Sequence, residues 1–334
     1  MKNSRLVCAV AVVALAIVVA QGINCQAAAG GSAASQDPET AQPQLAILDT
    51  DIGDDIDDAF ALALALRSPE LKILGVTTAF GNTELRARLV DRYLAAVGRG
   101  DIPVMQGVET EARNVFTQKA YALHMPLRKH GDGVDFLLDQ IRAHPGQITL
   151  IAIGPLTNIE EAIKRDPATF KKLKRVVMMG GSVYRGYGGT TAAPTPAQPE
   201  WNILCDPAGA MALLASAVPV FMMPLDSTQI HLEPKEREEI FAHGSPLTDQ
   251  LALLYHQWNG GDVRPSTPTL FDPVAVTYAI RPDLCPMTPL RLEVDDKGLT
   301  RPVEGPANAQ VCLKSDERGF LDLLLDRLTK EDGH

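Results

Sequence analysis

LAILDTDIGDDIDDAFALALAL, Leu45 to Leu66, passes from a short apolar run through an acidic turn into a longer apolar run. The first part reads as a buried strand, and DDAFALALALRSP reads as a helix stopped before Pro69. The same alternation continues downstream. LKILGVTTAF is a second strand, followed by TELRARLVDRYLAAVG as a helix ended by Gly98. ITLIAIG and KRVVMMGG repeat the strand pattern with LTNIEEAIKRDP as a helix between them, and VPVFMMPLD follows in the same style. Continuous apolar strands alternating with helices predict an α/β fold, a mainly parallel central sheet flanked by helices with an open Rossmann-like core. Ligands of such sheets bind outside the carboxyl ends of the strands. Asp49 and Asp51, Gly81 and Asn82, Gly154 and Gly180 all fall at those ends.

Six aspartates stand between Asp49 and Asp58, flanked on both sides by apolar segments. A hard cation is the simplest neutraliser, and calcium accepts many carboxylate and carbonyl oxygens. An EF-hand does not fit, because a strand precedes the cluster and no Glu closes it. A phosphatase opening on Asp-x-Asp does not fit either, since IGDDIDD follows in place of Gly-Thr.

The chain has 334 residues, 46% of them hydrophobic, enough for a sizeable core. Its formal charge of -10 argues against nucleic-acid polymers and anionic membranes as partners. Lys2 and Arg5 precede an apolar run from Leu6 to Ala20 and a small-residue site, so residues 1–29 read as a secretory signal peptide. That run is shorter than the roughly 20 residues a spanning helix needs. Lipid attachment at Cys25 is disfavoured by Asn24 before it. Residues 30–43 read as a flexible linker and 44–334 as a single domain, and the signal segment predicts a secreted or periplasmic protein. Cys205, Cys285 and Cys312 permit one disulfide that the sequence does not assign, and at least one reads as a buried free thiol.

DTDIGDDIDDAFAL resembles the N-terminal signature of the nucleoside hydrolases, usually DTDPGxDDAxAL. TTAFGNT, HGDG, IGPLTNI, VVMMGGS, PEWNILCDP and LFDPVAV continue the resemblance in order, from about Leu45 to Pro282. The resemblance implies calcium-dependent hydrolysis of the N-glycosidic bond of a small-molecule ribonucleoside, and a homo-oligomer, dimer or tetramer. It implies that Asp51 is metal ligand and general base, taking a proton from a calcium-activated water. Asp58, Asp272 and the Ile153 carbonyl complete the metal set. Asp57, Asn82, Glu200 and Asn202 match partners of the ribose, and Met179 the methionine beside it. Thr157 and Asn158 read as caps of the helix that follows, and Asp206 as a cap before Pro207.

Two departures stand out. Two extra residues follow Gly53, so Asp55 competes with Asp57 for the ribose or the ion, while Asp54 is expected to face solvent. Many members carry a His before the last metal Asp, but here that residue is Phe271, which cannot donate a proton. Stacking on Phe271 slightly favours a purine, and His130 in HGDG becomes the candidate acid. Trp201, Tyr184, Tyr187 and Trp258 are candidate walls of the base pocket, and YRGYGGTTAAPTPAQP a candidate lid or wall. The competing reading is an exported nucleoside- or sugar-binding protein without turnover.

Overall fold

The leucine-, isoleucine- and valine-rich runs form the strands expected of them. The structure is a computed structural model that describes residues 42–189, 193–261 and 265–330. The signal-peptide reading of residues 1–29 and most of the linker lie outside the described residues. The strands are β1 (Gln44–Thr50), β2 (Leu71–Thr78), β3 (Val104–Gln106), β4 (Thr149–Ala152), β5 (Arg175–Met179), β6 (Arg185–Gly189), β7 (Pro194–Pro196), β8 (Val220–Met223), β9 (Met287–Val294), β10 (Thr300–Val303) and β11 (Ala309–Cys312).

Nine of them build one sheet in the order β10-β9-β11-β8-β5-β4-β1-β2-β3. From β11 to β3 every neighbouring pair is parallel, whereas β9 runs antiparallel to both β11 and β10. Alternation along β1 sends Ile47 to the core on one face and Leu48 to the core on the other. Both faces are therefore covered, which is why the central strands carry no polar alternation. β6 and β7 pair separately as an antiparallel hairpin within the predicted Gly/Pro-rich loop.

The helix Asp57–Leu66 is buried along nearly its whole length. Its alternating Ala and Leu side chains pack against the helices Pro246–Trp258, Pro273–Ile280 and Glu317–Thr329. A helix apolar all round belongs in a core, so its first turn carries Asp57 and Asp58 under cover as well. β1 lies between β2 and β4, with Asp49 opposite Thr77 and Ala152. That register delivers Asp51 to the middle of the sheet's carboxyl edge, beside Ile153, whose N–H donates to the Asp49 carbonyl at 2.8 Å.

A disulfide joins Cys285, just after the 3-10 turn Pro282–Leu284, to Cys312 at the end of β11, and Cys205 is free and half-buried. Closing a loop of 27 residues is worth roughly 3–4 kcal/mol in the chain-entropy account. Reductant is expected to lower Tm by several degrees, whereas a Cys285→Ala/Cys312→Ala variant should show no further drop when reductant is added. Among the described residues, no helix is long and apolar enough to cross a membrane.

Candidate active site

One cleft of about 220 Å3 gathers side chains from separate strand ends. Asp51 follows β1, Ile153 follows β4, Met179 ends β5, and Phe271 and Asp272 precede the helix Pro273–Ile280. Asp54, Asp55, Asp57, Asp58, Asn114, Tyr187, Glu200, Trp201 and Asn202 complete the lining. Carboxylate oxygens of Asp57, Asp58 and Asp272 lie within 4.8 Å of one another, all buried.

The cleft brings together all four expected metal-site residues, Asp51, Asp58, Ile153 and Asp272. Asp57 stands beside Asp58 and Asp272, while Asp51 lines the same cleft outside the trio. Backbone donors explain this: Asp57 Oδ2 accepts from the N–H of Phe271 and of Asp272, each at 3.2 Å. Asp58 accepts from the Thr50 hydroxyl. Asp51 packs instead against Gly154, where a Cβ would stand 2.8 Å from its Oδ1. Only glycine leaves room for the carboxylate there.

Burial pushes Asp51 up to about 7, against the pull of Arg86 and with added repulsion from Asp54. Burial raises Asp57, Asp58 and Asp272 well above the carboxylate range, and their mutual repulsion raises them further. Buried carboxylates this close cannot all ionise alone; they need protons or a cation. Hard oxygen donors converging under cover fit a hard metal cation.

Neighbouring groups hold the arrangement in place. Asp49 accepts from the Thr77 hydroxyl and from Asn158 Nδ2, and burial still lifts it to about 6. Asn158 does not cap its helix as expected; its side chain ties Asp49, the Thr78 carbonyl and the Val108 N–H together. Asp206 does cap the helix Pro207–Ala215, through the Gly209 N–H. The Arg86 side chain is buried and donates to the carbonyls of Asp51, Ile52 and Phe80 and to the Asp54 carboxylate. Asp54 is thus half-buried in an ion pair rather than facing solvent. Glu200 caps the short helix Trp201–Cys205, accepting from the N–H of Asn202 and Ile203, and also from Gly181. Asn202 Nδ2 donates to the carbonyls of Ile153 and Met179.

A family model described as "Inosine-uridine preferring nucleoside hydrolase" matches residues 46–322. The chain belongs to the nucleoside hydrolase family. It is 32% identical over 310 residues to "Pyrimidine-specific ribonucleoside hydrolase RihA" of Citrobacter koseri, covering 81% of this chain and 94% of that protein. Among solved structures it is similar to "Plant nucleoside hydrolase - PpNRh1 enzyme", at TM-score 0.75 and 27% identity over 86% of this chain and all of that one. It is also similar to "Purine-Preferring Ribonucleoside Hydrolase from Gardnerella vaginalis", at TM-score 0.72 and 25% identity over 86% and 98%.

In this nucleoside hydrolase two expected residues stand apart from the cleft. The buried His130 side chain has its Nε2 2.9 Å from Asp91, an aspartate that also binds Arg128. Asp91 belongs to the helix Thr83–Ala96, and this contact holds the imidazole outside the cleft lining, so His130 is not placed to act as the leaving-group acid. Asn82 is exposed and caps that helix by accepting from the Leu85 N–H at 2.9 Å. Asp55 lies exposed at the rim, its carboxylate accepting from the Ile56 N–H. Of the candidate aromatics, Tyr187 and Trp201 line the cleft, and Tyr184 and Trp258 do not. Tyr187 meets Phe271 edge to face at 5.9 Å. The sequence reading missed Asn114, which lies in an irregular segment with no periodicity to mark it, and Arg86, whose helix reads as ordinarily amphipathic.

Proposed function

We propose that this nucleoside hydrolase works with Asp51 as general base and metal ligand, and with Ca2+ held by Asp51, Asp58, Asp272 and the Ile153 carbonyl, Asp57 standing beside them in the carboxylate trio. The observation that carries the reading is the convergence of Asp51 and the carboxylate trio on one cleft at the sheet's carboxyl edge. When bound, a hard dication supplies Lewis-acid activation of water. Asp51, raised to about 7 by burial, is suited to take the proton of the attacking water near neutral pH. Surrounding carboxylates stabilise positive charge as it develops on the ribose. Glu200 and Asn202 face the cleft as anchors for ribose hydroxyls, and a 2′-deoxyribose would leave such groups unpaired.

Phe271, Tyr187 and Trp201 wall the place left for the base. The Phe271 ring offers a purine the larger stacking face, and a slight purine preference is assigned on that ground. Names of relatives point both ways, pyrimidine for the Citrobacter protein and purine for the Gardnerella one. Export to an oxidising compartment is part of the same proposal, supported by the basic-apolar N-terminus and the Cys285–Cys312 disulfide. A dimer or tetramer rests on the family resemblance.

The test is release of reducing sugar from inosine, adenosine, guanosine, uridine and cytidine, with calcium and with chelator. Turnover of ribonucleosides with calcium, lost in chelator, is the expected result. Full activity after exhaustive chelation would remove the cation from the proposal, and faster turnover of uridine than of inosine would remove the purine preference.

A further inference from the structure

Seven carboxylates line the cleft: Asp51, Asp54, Asp55, Asp57, Asp58, Glu200 and Asp272. Among the described residues, no Lys, Arg or His lines it. Arg86 approaches from behind and pairs with Asp54 at 2.8 Å. A dication held at the trio would offset part of the remainder. Asp55, at the rim, accepts from the Ile56 N–H and has no cation beside it among the described ion pairs, so nothing there offsets its charge when it ionises. Charge of one sign in a cleft concentrates ligands of the other sign. The aromatic walls add to this, because ring faces attract cations.

The leaving-group side of the cleft is equally one-sided. Phe271 cannot protonate a departing base, and His130 is held at Asp91. The Tyr187 hydroxyl accepts from the Trp201 N–H at 2.9 Å and lies 3.5 Å from Glu200, so its own proton is directed at a carboxylate. A neutral base must gain a proton as it leaves or depart as an anion, which these carboxylates repel. A cationic base needs neither. We propose that the preferred substrates are ribonucleosides whose base carries a positive charge, such as N-ribosylated pyridiniums or ring-alkylated purines. The proposal rests on the hydrolase reading above. As the C1′–N bond breaks, its electron pair passes to the ring nitrogen and neutralises the base. The water oxygen bonds to C1′, its proton passes to Asp51, and neutral base and ribose result.

The experiment compares 7-methylguanosine with guanosine at pH 7, where Asp51 is partly ionised and the methylated imidazolium ring keeps its positive charge. Each kcat/KM is divided by the uncatalysed rate, which removes the cation's intrinsic advantage as a leaving group. The normalised ratio is expected to favour 7-methylguanosine by about tenfold or more. Asp55→Asn should lower that ratio by at least about threefold, and added salt should lower it in the wild type by screening. A normalised ratio near one, or a ratio indifferent to both Asp55→Asn and salt, overturns the charge preference and leaves the hydrolase reading standing. Failure to release ribose from either compound, or from any of the five common ribonucleosides, overturns both.

Discussion

Asp51→Asn is expected to lower kcat/KM by about 1000-fold or more, the upper part of the range for a positioned general base, while Tm in chelator at pH 8 holds or rises. Asparagine keeps the shape of the side chain against Gly154, where there is no space for anything larger. What it removes is the charge. Because burial lifts Asp51 to about 7, its ionisation at pH 8 works against the folded state. Loss of that charge therefore relieves repulsion with Asp57, Asp58 and Asp272. A residue needed only for folding would behave in the opposite way, losing Tm along with activity. Circular-dichroism melts and steady-state rates on the same preparations separate the two, and a variant keeping more than a tenth of the activity would show that another group takes the proton.

The strand–turn–helix reading of Leu45–Leu66 was legible because its information is local. Apolar runs set the strands, and Pro69 sets the helix end. What the sequence left open depended on partners far along the chain. Whether Asp55 or Asp57 stands beside Asp58 and Asp272 could not be read from DDIDD; the N–H groups of Phe271 and Asp272, more than 200 residues later, hold Asp57 there. The extra residues after Gly53 looked like a solvated acidic turn, yet Arg86 pins Asp54 from another helix. His130 carried the right chemistry in the right motif, and Asp91 claimed it. PEWNIL carried no helical periodicity, yet Glu200 makes it a capped helix by accepting from Asn202 and Ile203. The pairing of Cys285 with Cys312 waited on the antiparallel register of β9 and β11, which places Cys312 opposite Met287.

Calcium is expected to stabilise the protein far more at pH 8 than at pH 5, and the sign follows from the carboxylates. Without a cation, the folded pKa of Asp51 is about 7 against an ordinary value of 3.8, and Asp57, Asp58 and Asp272 are displaced in the same direction. Between those limits the folded state binds more protons than the unfolded chain. Stability in chelator must then fall as pH rises from about 4 towards 7 and beyond, by up to roughly 1.4 kcal/mol per pH unit for each such carboxylate. A dication bound by the ionised trio replaces the protons and opposes the fall. The gap in Tm between calcium and chelator should therefore widen by several degrees from pH 5 to pH 8. Calorimetric titrations near pH 6 in buffers of different ionisation enthalpy should show protons leaving as calcium binds. A melting temperature in chelator that stays level or climbs over this range would mean that the carboxylates are already neutralised from within, and the cation would lose its physical reason to be there.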